Sequence, residues 1–93
     1  YKSPQSGNLY MIWSGMSADG YALGVARSKT GRITGPWIHD PEPVFSHDGG
    51  HGMIFKDFGG ALRLVLHQPN NPESAERMRL FEIVETGNTL RLK

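Results

Sequence analysis

Apolar residues along this chain fall in short runs cut by glycine, proline and asparagine, and that spacing predicts β-strands. Leu9-Tyr10-Met11-Ile12-Trp13 is continuously apolar between Gly7-Asn8 and Ser14-Gly15, as expected of a strand covered on both faces. Residues 21–26 follow the Ala18-Asp19-Gly20 turn and suit a strand pairing back on the first. A third strand is expected over residues 33–39, opened by Gly35-Pro36, because proline has no N–H to give a ladder and belongs at a strand's start or edge. Residues 53–56, 62–67, 78–84 and 89–92 complete the set, separated by Gly59-Gly60, Pro69-Asn70-Asn71-Pro72 and Thr86-Gly87-Asn88. No segment holds a helical period; residues 72–79 have room for a single turn. The fold class is therefore all-β.

The chain also repeats itself. Gly7-Asn8-Leu9-Tyr10-Met11-Ile12-Trp13 aligns with Gly60-Ala61-Leu62-Arg63-Leu64-Val65-Leu66, and Tyr1-Lys2 aligns with Phe55-Lys56. Three or four antiparallel strands recurring every ~50 residues are the sequence signature of a propeller blade. Two blades are expected, over residues 1–46 and 47–93. In the second unit an innermost strand with His51 runs directly into Phe55-Lys56; its counterpart in the first unit would precede Tyr1. The first blade is thus expected to lack its inner strand, and with it one contribution to a central channel.

Composition supports short elements over helices, with 12 glycines and 6 prolines in 93 residues. A domain of this size buries only roughly 60–65% of the surface its unfolded chain exposes, so it would be marginal alone. Ten basic and nine acidic residues leave a formal charge of +1 without a basic cluster, which removes nucleic acid and anionic membrane as partners on electrostatic grounds. Without cysteine, disulfide scaffolds and thiolate-held zinc are excluded, while the compartment stays open. No apolar run approaches the ~18 residues of a membrane span.

Candidate chemistry gathers at Asp48-Gly49-Gly50-His51-Gly52-Met53-Ile54-Phe55, where glycines crowd one histidine ahead of an apolar strand. Glycine permits close backbone approach and positive φ, so the pattern aims the histidine at something. Three readings are open for His51. It could pair with His47 on zinc, although Gly49 and Gly50 forbid the helix that would put both on one face; it could hold neighbouring backbone; or it could line the channel. His67 ends the next strand and leads into Gln68-Pro69-Asn70, facing either a sugar rim or its own loop. Trp13, Trp37, Tyr10 and Phe55 could stack on sugars but read better as core between blades. Of the carboxylates, Asp19, Asp40, Asp57, Glu73, Glu76, Glu82 and Glu85 read as solvated surface, and Asp48 as a turn residue beside the glycines. Glycoside hydrolysis needs two carboxyl groups facing each other, and no such pair is visible.

Gly35-Pro36-Trp37, Gly50-His51-Gly52 followed by Met53-Ile54-Phe55, and the strand ending in His67-Gln68-Pro69-Asn70 together resemble the last part of a family 43 glycoside hydrolase. The resemblance covers nearly the whole chain and implies about two antiparallel blades of a five-bladed β-propeller. It implies an inverting enzyme acting on arabinose- or xylose-containing polysaccharide, with two aspartates and a glutamate on inner strands. The glutamate would stand just before Tyr1, so this chain alone would lack all three catalytic carboxylates and hydrolyse nothing. His51 matches the family's channel histidine, which implies a calcium beside it, held through water. An extracellular or periplasmic location is the expectation. The alternative from another class is a non-catalytic propeller that binds carbohydrate or protein. Either way, an apolar blade face without a neighbour should drive self-association or pairing with further chain through Leu9, Met11 and Trp13.

Overall fold

A computed structural model describes all 93 residues as seven strands and no helix: β1 (Tyr10–Ser17), β2 (Gly20–Ser28), β3 (Trp37–His39), β4 (Gly50–Lys56), β5 (Leu62–Gln68), β6 (Arg77–Thr86) and β7 (Thr89–Leu92). They form two antiparallel sheets, β1-β2-β3 and β4-β5-β6-β7, each in simple sequence order. This is the expected all-β pair of blade-like sheets, the first with three strands and the second with four.

The repeat returns as geometry. Leu9 lies opposite Lys2 as Leu62 lies opposite Lys56, and Tyr10 exchanges backbone hydrogen bonds with Tyr1 where Arg63 faces Phe55. Along β1 and β2, Tyr10, Ile12, Leu23 and Val25 point one way and Met11, Trp13, Gly24 and Ala26 the other, following the two-residue period. The first set meets Leu64, Leu66, Ile83 and Leu90 of the second sheet, with Val44 and Phe45 from the connection between the sheets closing the core. Tyr10, Leu23, Leu64 and Leu90 are almost wholly buried there.

Three expectations are corrected. β3 begins only at Trp37, because residues 32–35 make a turn in which the Gly35 N–H donates to the Arg32 carbonyl; Ile33 is left 80% exposed. No helical turn occupies residues 72–79, where every side chain is exposed and no apolar stripe exists to bury. Asn71 closes a local turn on the Glu73 N–H instead, and β6 starts at Arg77. β1, finally, is covered on one face only, and it runs past the apolar stretch to Ser17 because the β2 ladder carries its polar tail along.

Two polar latches join the sheets, and both contain carboxylates expected to be solvated surface. Glu85 of β6 accepts from the hydroxyls of Ser3 (2.6 Å), Ser6 (2.6 Å) and Tyr10, with the Asn8 amide at 3.5 Å. Burial pushes its carboxyl up, but these donors outweigh it and hold Glu85 below its ordinary range. The Tyr10 phenol is raised by burial and by its bond to Glu85. Asp40, just beyond β3, accepts from the Thr89 hydroxyl and from Arg91 at 2.9 Å on β7. The Thr89 bond, the Glu42 N–H and Arg91 lower the Asp40 carboxyl. Asp57 is likewise engaged, capping its own turn and pairing with Arg63 at 2.8 Å, whereas Glu82 meets Lys93 at an exposed rim.

Candidate functional site

The start of β4 is fixed from three sides. Asp48 sits at φ 57°, and its carboxylate accepts from the Tyr21 N–H (3.2 Å) and the Asn70 N–H (3.1 Å), tying the head of β2 to the loop after β5. The two glycines that follow have no room for a side chain. A Cβ on Gly49 would stand 2.7 Å from Phe45 Cε1, and one on Gly50 would stand 2.7 Å from Tyr21 Cε2. Their sequence signal was therefore close packing, since neither needs positive φ.

His51 carries the unusual backbone itself, at φ 56°, and its N–H donates to Ser14 Oγ at 2.7 Å across the sheet boundary. The β4–β5 register shifts between Gly50 and Met53, a bulge that re-aims one side chain, and the His51 imidazole is exposed as a result. A non-glycine residue in the left-handed region costs energy and persists only where its surroundings impose it.

His67 lies opposite Gly50 on β5. Its ring stacks on Tyr21 at 5.5 Å and 19°, and its Nε2 is 3.1 Å from Asn70 Oδ1. The His51 and His67 rings approach to 6.0 Å between centroids, so the fold brings both candidate histidines to one corner. His67 fixes its own loop through Asn70, and its ring faces His51. Tyr21 is the member sequence reasoning missed: it sits on the other sheet, and nothing local marks it. His47 stands apart, edge-on to Phe45 at 5.5 Å, with its carbonyl accepting from Gln68 Nε2.

Imidazole, phenol and amide groups meet here without a carboxylate pair. The nearest acid to His67 is Glu76, 3.9 Å from Nδ1 and largely exposed. Such a corner can stack on a sugar ring and exchange hydrogen bonds with hydroxyls, but it holds no acid and base facing each other. Nor do these residues by themselves fit a metal: no three His, Asp or Glu side chains converge, and calcium takes six to eight oxygens where this corner offers imidazole. The largest hollows lie elsewhere. One of about 330 Å³ is lined by Arg27, His39, Asp40 and Thr89, and another of about 240 Å³ lies beside Trp13. The aromatics divide: Tyr10 is core as expected, whereas Trp13 (44% exposed) and Phe55 (38%) lie on outer sheet faces.

A search of solved structures finds that the chain is similar to part of the crystal structure of an endo-arabinase from Bacteroides thetaiotaomicron VPI-5482, with a TM-score of 0.84 and 38% sequence identity over 92% of this chain. The chain spans 30% of that protein's length. No protein-family model matches the chain, and no curated protein does.

Proposed function

We propose that this chain supplies two blades, residues 1–46 and 47–93, to a propeller glycoside hydrolase of the family 43 type that cleaves arabinan. The observation that carries the reading is the 38% identity to an endo-arabinase, maintained over 92% of the chain together with the fold. The glycine-packed start of β4 holds the His51 corner in place, and that corner has the polar, stacking chemistry a sugar site uses. Arabinan is favoured over xylose polymers because the similar protein is an endo-arabinase.

The role of this chain in the reaction is positioning. His51, aimed by the bulge, lines the channel; His67 and Tyr21 form a stacked wall behind it. Its carboxylates are held in hydrogen bonds, as Glu85, Asp40 and Asp48 are, or are exposed, as Glu76 beside His67 is, and no two face each other across the corner; the acid and base that protonate the leaving oxygen and activate water come from the remaining blades. On this reading the 93-residue chain alone is inactive, and the intact enzyme works outside the cytoplasm. A calcium near His51 would take its oxygens from water and from elements beyond these residues.

A graft tests this. The chain replaces the equivalent portion of the Bacteroides endo-arabinase, and hydrolysis of linear arabinan is followed by reducing-end release. The folded graft is expected to cleave arabinan. A folded graft that binds arabinan without cleaving it would favour the non-catalytic propeller and overturn the proposal.

A further inference from the structure

We infer that Ser14 is a positioning residue, a hydroxyl on the first sheet that holds His51 of the second in its working conformation, an assignment that rests on the reading of this corner as a sugar site. His51 departs from regular strand backbone in two ways. Its φ of 56° lies in the left-handed region, and it sits inside the bulge that shifts the β4–β5 register between Gly50 and Met53. A residue with a side chain keeps that conformation only where its surroundings impose it. The neighbouring strand is not what imposes it, because the register pairs neither His51 nor Gly52 with a residue of β5. The His51 N–H instead donates across the sheet boundary to Ser14 Oγ at 2.7 Å.

The period of β1 puts Ser14 in place for this. Tyr10 and Ile12 point from β1 into the junction between the sheets, and Ser14 is the next residue on that face. The repeat supports the same assignment: carried one residue further, the alignment of residues 7–13 with 60–66 puts Ser14 where the second unit has His67. One position of the blade thus supplies two side chains that meet His51, the first at its N–H and the second with ring centroids 6.0 Å apart. Backbone and Asp48 make the other bonds that seat the start of β4 on the first sheet. The Gly49 N–H donates to the Tyr21 carbonyl at 3.0 Å, and the Tyr21 N–H donates to Asp48 at 3.2 Å. These fix residues 48 and 49, and Ser14 extends the hold to residue 51. Without its oxygen the His51 N–H is free to turn, and φ and the direction of the imidazole turn with it. Ser14 acts on the sugar through His51.

The grafted endo-arabinase carrying Ser14→Ala, Ser14→Thr, His51→Ala, or Ser14→Ala with His51→Ala tests this. The readouts are kcat/KM on linear arabinan, Tm as the folding check, and the His51 backbone amide signal by NMR on histidine-labelled enzyme. Ser14→Ala is expected to lower kcat/KM roughly tenfold in a folded enzyme, because a displaced positioning group loses rate without touching the chemistry. It should also move the His51 amide signal. Ser14→Thr keeps the accepting oxygen and should stay within about twofold of the parent. Once His51 is alanine, Ser14→Ala should cost nothing more, since residues acting as one unit do not add. A folded Ser14→Ala at the parent kcat/KM, beside an impaired His51→Ala, overturns the inference and leaves the reading of the corner standing. So does an unmoved His51 amide signal, a penalty that persists without the imidazole, or one that Ser14→Thr shares in full. His51→Ala at the parent kcat/KM would instead overturn the sugar-site reading itself, and the role of Ser14 with it.

Discussion

Replacing Glu85 with alanine should cost the fold about 3 kcal/mol near neutral pH. The carboxylate is the shared acceptor for Ser3, Ser6 and Tyr10, and two of these residues, Ser3 and Tyr10, are each only 2% exposed. A buried donor left without an acceptor costs ~1–3 kcal/mol, and Asn8 and the Ser3 hydroxyl's own backbone donors do not replace the lost acceptor. Water relieves part of the loss at Ser6, which is exposed, so the sum stays near the middle of the range. For a domain of this length, 3 kcal/mol corresponds to a fall in Tm of about 15 °C. The assay is thermal and urea unfolding of wild type and Glu85→Ala, with Glu82→Ala as the control, because the exposed Glu82–Lys93 pair is worth ~1 kcal/mol or less.

The pH dependence supplies a second, independent check on the same residue. Glu85 is held below its ordinary range in the folded state, so its contribution is complete above the unfolded carboxylate value and is lost as pH falls through the folded one. The gap between wild type and Glu85→Ala should therefore narrow on acidification from neutral pH. Asp40 is lowered in the same sense and adds to the acid lability of the wild type. A gap that does not change with pH, or a neutral-pH loss no larger than that of Glu82→Ala, would refute the latch.

Gly50→Ala should destabilise by ~1–3 kcal/mol in urea unfolding, since the new methyl meets the Tyr21 ring at 2.7 Å and the ring must leave His67. His51→Gly relieves the left-handed backbone and should leave stability unchanged or raise it by ~1 kcal/mol; a clear loss would show the imidazole to be a structural support. The isolated chain should release no sugar from arabinan, and any hydrolysis abolished by substituting one of its own carboxylates would end the claim that the acid and base lie elsewhere.

Much of the fold was legible because the blade repeat is written in periodic apolar positions. The runs around Leu9–Trp13 and residues 62–67 locate β1 and β5, and the short turns Ala18-Asp19 and Gly87-Asn88 locate two hairpins. What escaped was decided across the sheet boundary. Glu85 and Asp40 look like surface acids because their donors come from distant segments, and Tyr21 looks like an ordinary strand residue until β4 folds against it. Trp13 reads both as core between blades and as part of a face without a neighbour, because an apolar run does not say which of its residues the second sheet covers; the second sheet covers Tyr10 and leaves Trp13 outside. The histidine corner was half legible: Gly50-His51-Gly52 marked His51, and the strand end marked His67, but their meeting depends on the bulge.

The most direct test of the account is the kcat/KM of the grafted endo-arabinase on arabinan with His51 intact and with His51→Ala, each checked for folding. A positioning histidine in the channel is expected to cost roughly a hundredfold in kcat/KM, while Tm stays at the parent value. Equal kcat/KM for the two folded enzymes would contradict the assignment of His51 to the sugar site.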